Sequence, residues 1–214
     1  MEDGGYLDGD QIINAAKMSG AQAIHPGYGF LSENASFARK VKKEKLIWVG
    51  PSPNVISVMG DKLKAKELAI KADVPTLPMT SKPNEAKKIG YPLLIKAAAG
   101  GGGKGMRIVN KEKDLKESIV SAQREAKSGF NDERIFIERY VEKSRHIEIQ
   151  ILGDSKGNVV HLGERECSIQ RRHQKIIEES PSPRISDDVR NKMGEAAVKL
   201  AKQIKYESAG TVEF

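Results

Sequence analysis

Residues 91–109, YPLLIKAAAGGGGKGMRIV, set two apolar runs on either side of four consecutive glycines. Glycine loses more backbone freedom on folding than any other residue. A run of four therefore marks a place where backbone without side chains is needed. YPLLIK (91–96) and MRIV (106–109) read as strands, and two strands joined through such a run make a hairpin. Its bare N–H groups can close as a lid over anionic oxygens such as those of a triphosphate. Two other glycine-loop readings fail on the residues after the run. Gly100, Gly102 and Gly105 have the spacing of a dinucleotide fingerprint, but that motif needs a helix directly after it, and Gly105 leads into a strand pattern. A P-loop needs Ser or Thr after its lysine, and Lys104 is followed by glycine. A floppy surface turn is the plain alternative; four glycines beside a basic residue favour anion closure over it.

Cations stand near this loop in the sequence pattern. Lys96 ends the strand that enters it. Lys62 follows Met59-Gly60-Asp61 at a helix start, where the backbone dipole also favours anions. A lone lysine is usually a solvated surface charge, and these two matter because they converge on one loop. Composition agrees: 36 Lys+Arg against 29 Asp+Glu give a net charge of +7, which attracts phosphates and other small anions. The basic residues are interspersed with acids, and aromatics are 5%, so a continuous nucleic-acid groove is not expected. The single cysteine, Cys167, excludes an internal disulfide and reads as a small buried hydrophobe beside a charged strand. No apolar run approaches the roughly 20 residues that span a bilayer, and the acidic start MEDGGYLDGD is no signal peptide. The expected protein is soluble, in the cytoplasm or an organelle matrix.

Along the chain, Asp8 predicts the cap of a helix whose apolar face is Ile12, Ile13 and Ala16 and which closes at Gly20. A buried strand at AQAIHP, a turn-rich loop, a helix from about Asn34 and a strand at LIWVG (46–50), stopped by GPSP, make an α/β rhythm with parallel strands. A helix over 61–72 is followed by VPTLP, whose two prolines predict an extended linker and a boundary near residue 75. Beyond it come a helix over 113–128, strands at RIFIERY, HIEIQILGD and VVHLGEREC, a helix over 187–203 and a strand at AGTVEF, an α+β pattern with antiparallel strands. In HIEIQIL, alternation sends His146, Glu148 and Gln150 to one face, lining a cleft, and Ile147, Ile149 and Ile151 to a helix layer. Glu164, Glu166, Gln170, Arg171, Arg172, His173, Gln174 and Lys175 crowd into twelve residues and read as an anion site, a solvated charged turn being the alternative.

Taken in order, HPGYGFLSEN, MGDK, GYPLLIKAAAGGGGKGMRIV, RHIEIQILGD, GERECSIQRRHQKIIEESPSP and AGTVEF resemble the biotin carboxylase component of biotin-dependent acyl-CoA carboxylases, which has the ATP-grasp fold. The resemblance covers nearly the whole chain from about Tyr6. It implies a partial N-terminal dinucleotide-fold domain over 1–74. An ATP-grasp domain would follow over 75–214, with its lid subdomain at about 75–145 and the start of a C-terminal sheet. By resemblance, Lys62 and Lys96 would contact ATP phosphates, with Gly102 and Gly103 in the lid. Glu138, Arg139, Tyr140 and Val141 would read adenine through backbone groups. His146 would lie by the ribose and His173 at the nucleotide, with a catalytic part. Lys175 would be the catalytic basic residue near bicarbonate, and Glu213 a ligand for magnesium or manganese.

The implied reaction is phosphoryl transfer from ATP to bicarbonate, giving carboxyphosphate that supplies carbon dioxide to biotin on a carrier protein. A carboxyltransferase component is the implied further partner and a homodimer the implied assembly. Neither nucleic acid nor membrane is an expected partner. The compartment would be the cytoplasm, or the mitochondrial matrix in a eukaryote. Another ATP-grasp ligase, of the carbamoyl-phosphate or amino-acid type, and a non-catalytic nucleotide-binding module are the alternative readings. Against the family pattern the first strands before Met1 are absent, as are the second magnesium carboxylate and other groups expected after Phe214. The expectation is therefore a fragment, inactive alone.

Overall fold

The computed structural model describes residues 5–99, 105–172 and 174–214. Its N-terminal unit begins with α1 (Gly9–Met18), capped by the Asp8 carboxylate, which accepts from the amides of Asp10 and Gln11. β1 (Ala23–Ile24) and β2 (Ile47–Trp48) pair in parallel around α2 (Ala35–Lys43), which Asn34 caps through Phe37 N. These strands are two residues each, shorter than the runs AQAIHP and LIWVG predict. A helix not expected from the sequence comes next: α3 (Pro53–Met59), with Ser52 as cap and proline in its first turn. Ile13, Phe37, Val41, Trp48 and Ile56 form this unit's core, with the rings of Phe37 and Trp48 edge to face.

α4 (Lys62–Lys71) opens on Asp61, whose Oδ1 accepts from Leu63 N and Lys64 N. An extended stretch then leads to β3 (Met79–Thr80), α5 (Ala86–Ile89), β4 (Leu93–Ala97), β5 (Arg107–Val109), α6 (Leu115–Phe130) and β6 (Ile135–Arg139). The four strands form an antiparallel sheet in the order β3-β6-β4-β5. Alternation divides its faces. Leu93, Ile95, Ala97, Ile135 and Ile137 pack on Ala122 and Ala126 of α6, which leaves Lys96 and Glu138 on the opposite face.

The second antiparallel sheet has the order β10-β7-β8-β9, from β7 (Ile147–Gly153), β8 (Val159–Arg171), β9 (Gln174–Glu179) and β10 (Ser208–Glu213). α7 (Asp187–Gln203) covers one face, its Ala197 and Ala201 against Ile149 and Ile151, as the alternation of HIEIQIL predicts. Strand takes most of 164–175 in place of the charged turn that is the alternative reading: β8 runs to Arg171 and β9 starts at Gln174, with Arg172 in the turn. The β9 residues QKIIEE carry little strand signal, and their register is imposed by β8. α4 joins the parts: Ala69 and Ala72 pack with Val74 against Leu200 of α7, with Val212 of β10 alongside. Among the described residues no helix is long and apolar enough to cross a membrane.

Candidate nucleotide and carboxylate site

The first cluster lies between α4 and the free face of the β4–β6 pair. Lys96 sits opposite Phe136, and Leu94 opposite Glu138, so Lys96 and Glu138 stand on one face of adjacent strands. Glu138 is buried to 2% exposure, and Lys96 pairs with its Oε1. Burial works against ionisation of Glu138, yet Lys96 and Lys66 outweigh it and hold the carboxyl below its ordinary value. Lys62, at the start of α4, reaches Ala97 O at 3.4 Å through Nζ, and its amide donates to Ala98 O at 3.1 Å. Burial, then the charge of Lys96, pushes the Lys62 ammonium below its ordinary value. A phosphate would relieve both effects.

Local bonds fix this arrangement. Arg134 donates to Asp61 Oδ2 at 2.9 Å while its carbonyl accepts from Ala98 N, which ties the first turn of α4 to the last residues before the glycine run. The strand end beyond Glu138 is also held: Arg139 N donates to Pro78 O and Tyr140 N to Pro92 O, each at 3.1 Å. The Arg139 side chain reaches back to Ile89 O at 3.2 Å, and Val141 is exposed.

The second cluster lies on the face of the other sheet away from α7. Glu213, Glu148 and Arg165 face one another across β10, β7 and β8. Glu148, 4% exposed, accepts from Arg165 Nε at 2.6 Å and Lys175 Nζ at 2.5 Å; Lys175 also meets Glu213 Oε1 at 3.0 Å. Burial opposes the charge of Lys175, but the two carboxylates outweigh it and raise its pKa above the ordinary lysine value. Arg165 further donates to Gln150 Oε1 at 2.8 Å. His146 Nε2 is 3.2 Å from Glu213 Oε1 but off the line of a hydrogen bond. Gln170 Nε2 lies 3.1 Å from His146 Nδ1; with the amide donating, the ring proton sits on Nε2.

The candidate residues thus divide into two groups, Lys62, Lys96 and Glu138 in one, His146, Lys175 and Glu213 in the other. Gly102, Gly103 and His173 lie outside the described residues. Two of the crowded residues belong elsewhere. Glu164 and Glu166 face α7 and accept from Arg190 Nε (2.7 Å), Ser182 N (3.0 Å) and Ser182 Oγ (2.8 Å), pinning the segment before α7. Their oxygens are taken up within the fold, and alternation along β8 points Arg165, which the sequence does not single out, at Glu148. Lys66 is likewise a site residue that sequence reasoning misses. Cys167 is fully buried, as expected, and burial pushes its thiol up to about 11.

Residues 1–56 match the family model for the biotin carboxylase N-terminal domain, and 61–214 that for the carbamoyl-phosphate synthase L chain ATP-binding domain. The chain belongs to the biotin carboxylase family. It is 55% identical over 98% of its length to the mitochondrial methylcrotonoyl-CoA carboxylase subunit alpha of Dictyostelium discoideum, covering 31% of that protein. Against the pyruvate carboxylase of Aspergillus terreus the figures are 50%, 99% and 18%. A biotin carboxylase from Campylobacter jejuni, solved as a β,γ-ATP complex, matches with a TM-score of 0.95 at 48% identity, over 100% of this chain and 50% of that one. The biotin carboxylase domain dimer of Hydrogenobacter thermophilus 2-oxoglutarate carboxylase, solved with MgADP, ADP and bicarbonate, matches with a TM-score of 0.92 at 47% identity, over 98% of this chain and 48% of that one. The chain therefore spans about half of these solved biotin carboxylases and a third or less of the curated relatives. Its mixed helix–sheet architecture is that of the ATP-grasp biotin carboxylases.

Proposed function

We propose that the chain supplies the nucleotide and bicarbonate sites of a biotin carboxylase that phosphorylates bicarbonate with ATP and passes the carboxyl group to biotin. The observation that carries this reading is the convergence of Lys62 and Lys96 at the foot of the glycine run, in a family whose solved members include a β,γ-ATP complex.

In this reading Lys62 and Lys96 meet the phosphates, and the glycine run, with Gly102 and Gly103, closes over them. A γ-phosphoryl group moves through a transition state with charge spread over its oxygens, so fixed cations contribute more than covalent chemistry does. Glu138, Arg139, Tyr140 and Val141 border the base and read it through backbone groups; the Arg139 and Tyr140 amides are used within the fold, so the donor to adenine would be the Val141 amide. His146 stands by the ribose, and His173 is assigned to the nucleotide by the resemblance alone. Lys175, held charged by Glu148 and Glu213, fixes bicarbonate as an anion. Its oxygen attacks the γ-phosphorus, the bond to the β-phosphate oxygen breaks, and ADP leaves carboxyphosphate behind.

Donor atoms of His146, Glu148 and Glu213 lie within 4.8 Å of one another. A hard cation such as Mg2+ takes oxygen donors and usually one or two carboxylates. Glu148 is taken up by Arg165 and Lys175, so Glu213, with its side chain 58% exposed, is the residue that would hold the ion. When bound, the ion neutralises phosphate charge. Biotin on a carrier protein would accept the carboxyl group and a carboxyltransferase would consume it, in keeping with the relatives' being carboxylases; the dimer of the Hydrogenobacter domain suggests a homodimer here. The proposed compartment is the cytoplasm or the mitochondrial matrix.

The test is ADP formation from MgATP by this chain in a protein of the full length of its solved biotin carboxylase relatives, with bicarbonate and free biotin added singly and together. Stimulation requiring both, and at least about tenfold lower in Lys175→Met, is the expected result. Nucleotide binding with no stimulation would instead mark a nucleotide-binding module.

A further inference from the structure

We propose that Lys66 is a positioning residue for Lys96: by occupying one oxygen of the buried Glu138 carboxylate, it leaves the Lys96 ammonium oriented by Glu138 but available to phosphate. The inference rests on reading Lys96 as a phosphate-binding cation.

Lys66 lies four residues after Lys62 on α4, so one helix face presents both to the β4–β6 sheet. Its Nζ donates to Glu138 Oε2, while Lys96 takes Oε1 of the same carboxylate. The Lys66 ammonium also stands 5.5 Å from the centroid of the Phe136 ring, the residue paired with Lys96 across the strands. These contacts hold it over the cluster rather than in solvent: its side chain is 22% exposed, that of Glu138 3%.

Carboxylate stoichiometry explains why a second lysine is needed. A carboxylate offers about four acceptor sites on two oxygens. Buried with a single cation it would leave one oxygen unsatisfied, at a large desolvation cost. Lys96 would then be drawn across both oxygens, and the three N–H donors of its ammonium would be turned to Glu138 instead of a ligand. With Lys66 on Oε2, one carboxylate faces two ammoniums, and the pair keeps one net positive charge. Lys62 adds a further cation beside it. The acid fixes where Lys96 points, and Lys66 prevents it from cancelling the charge the phosphates need.

Affinities of the protein for MgATP and for adenosine separate this role from a structural one, because only the former uses phosphate-directed charge. Lys66→Met is expected to raise the MgATP Kd about tenfold and to change the adenosine Kd less than about twofold. Lys66→Arg, which keeps a cation on Glu138, should restore most of the loss. Adding Glu138→Gln to Lys66→Met should recover part of it, since an amide exerts no net charge on Lys96. Should Lys66→Met fail to fold, Lys66→Gln, which keeps a donor for Glu138 but no charge, is expected to show the same selective loss. If Lys66→Met or Lys66→Gln leaves the MgATP-to-adenosine ratio unchanged while Lys96→Met collapses it, the role of Lys66 is overturned and the phosphate site stands. A ratio that survives Lys96→Met, or no preference for MgATP in the wild type, overturns the site reading and this inference with it.

Discussion

Single residues in the two clusters are governed by buried carboxylates that each hold two cations. Glu148 illustrates the consequence for stability. Burial disfavours its charge, yet Lys175 and Arg165 depress its folded pKa below the ordinary glutamate value of 4.5. The stabilisation from a depressed carboxyl is present above the unfolded pKa and is lost as pH falls through the folded one. Glu148→Gln is therefore expected to destabilise the protein at neutral pH by about 2 kcal/mol, at the low end for a broken ion pair because both cations keep partial exposure. The variant should also lose less stability than wild type between about pH 4.5 and lower values, read from urea unfolding across that range. Such pairings are only partly legible in the sequence. The alternation of HIEIQIL places Glu148 on the polar face. Lys66 gives no sign of its role, because a lysine four residues from another lysine looks like any solvated helix face, and its acid lies 72 residues away.

Elements are legible where one residue type fixes an end. Asp8, Asn34 and Asp61 each cap the helix predicted to start near them. α3 escapes prediction because the prolines of GPSP read as a stop, whereas Pro53 occupies a first-turn position that needs no amide donor. Gly194 shows how packing can override propensity within an element. It lies mid-way along α7, where glycine costs about 1 kcal/mol relative to alanine. A Cβ there would stand 2.5–2.8 Å from three ring atoms of His161 on β8. Overpacking of that kind costs about 1–3 kcal/mol, so Gly194→Ala is expected to destabilise despite its better propensity. Introduced beside His161→Ala, which removes the ring, the same change should stabilise. A thermal double-mutant cycle reads both signs.

Across the whole molecule, α4 joins the first site to the helix layer behind the second. Lys62 and Lys66 at its first turns meet the β4–β6 sheet, while Ala69 and Ala72 near its end seat on Leu200 of α7. Leu200→Ala is expected to cost about 2–4 kcal/mol through the cavity it leaves. Hydrogen exchange should report that loss in α4 and α7 together, with β4 and β6 keeping more protection because their core against α6 is separate. A ligand that shifts how this helix seats would act at both of its ends. Whatever free energy a ligand at the lysine end gives to one seating on α7 is returned, in equal measure, as a dependence of that ligand's affinity on the seating. An occupant on the β10 side could thus tune nucleotide binding without touching a phosphate.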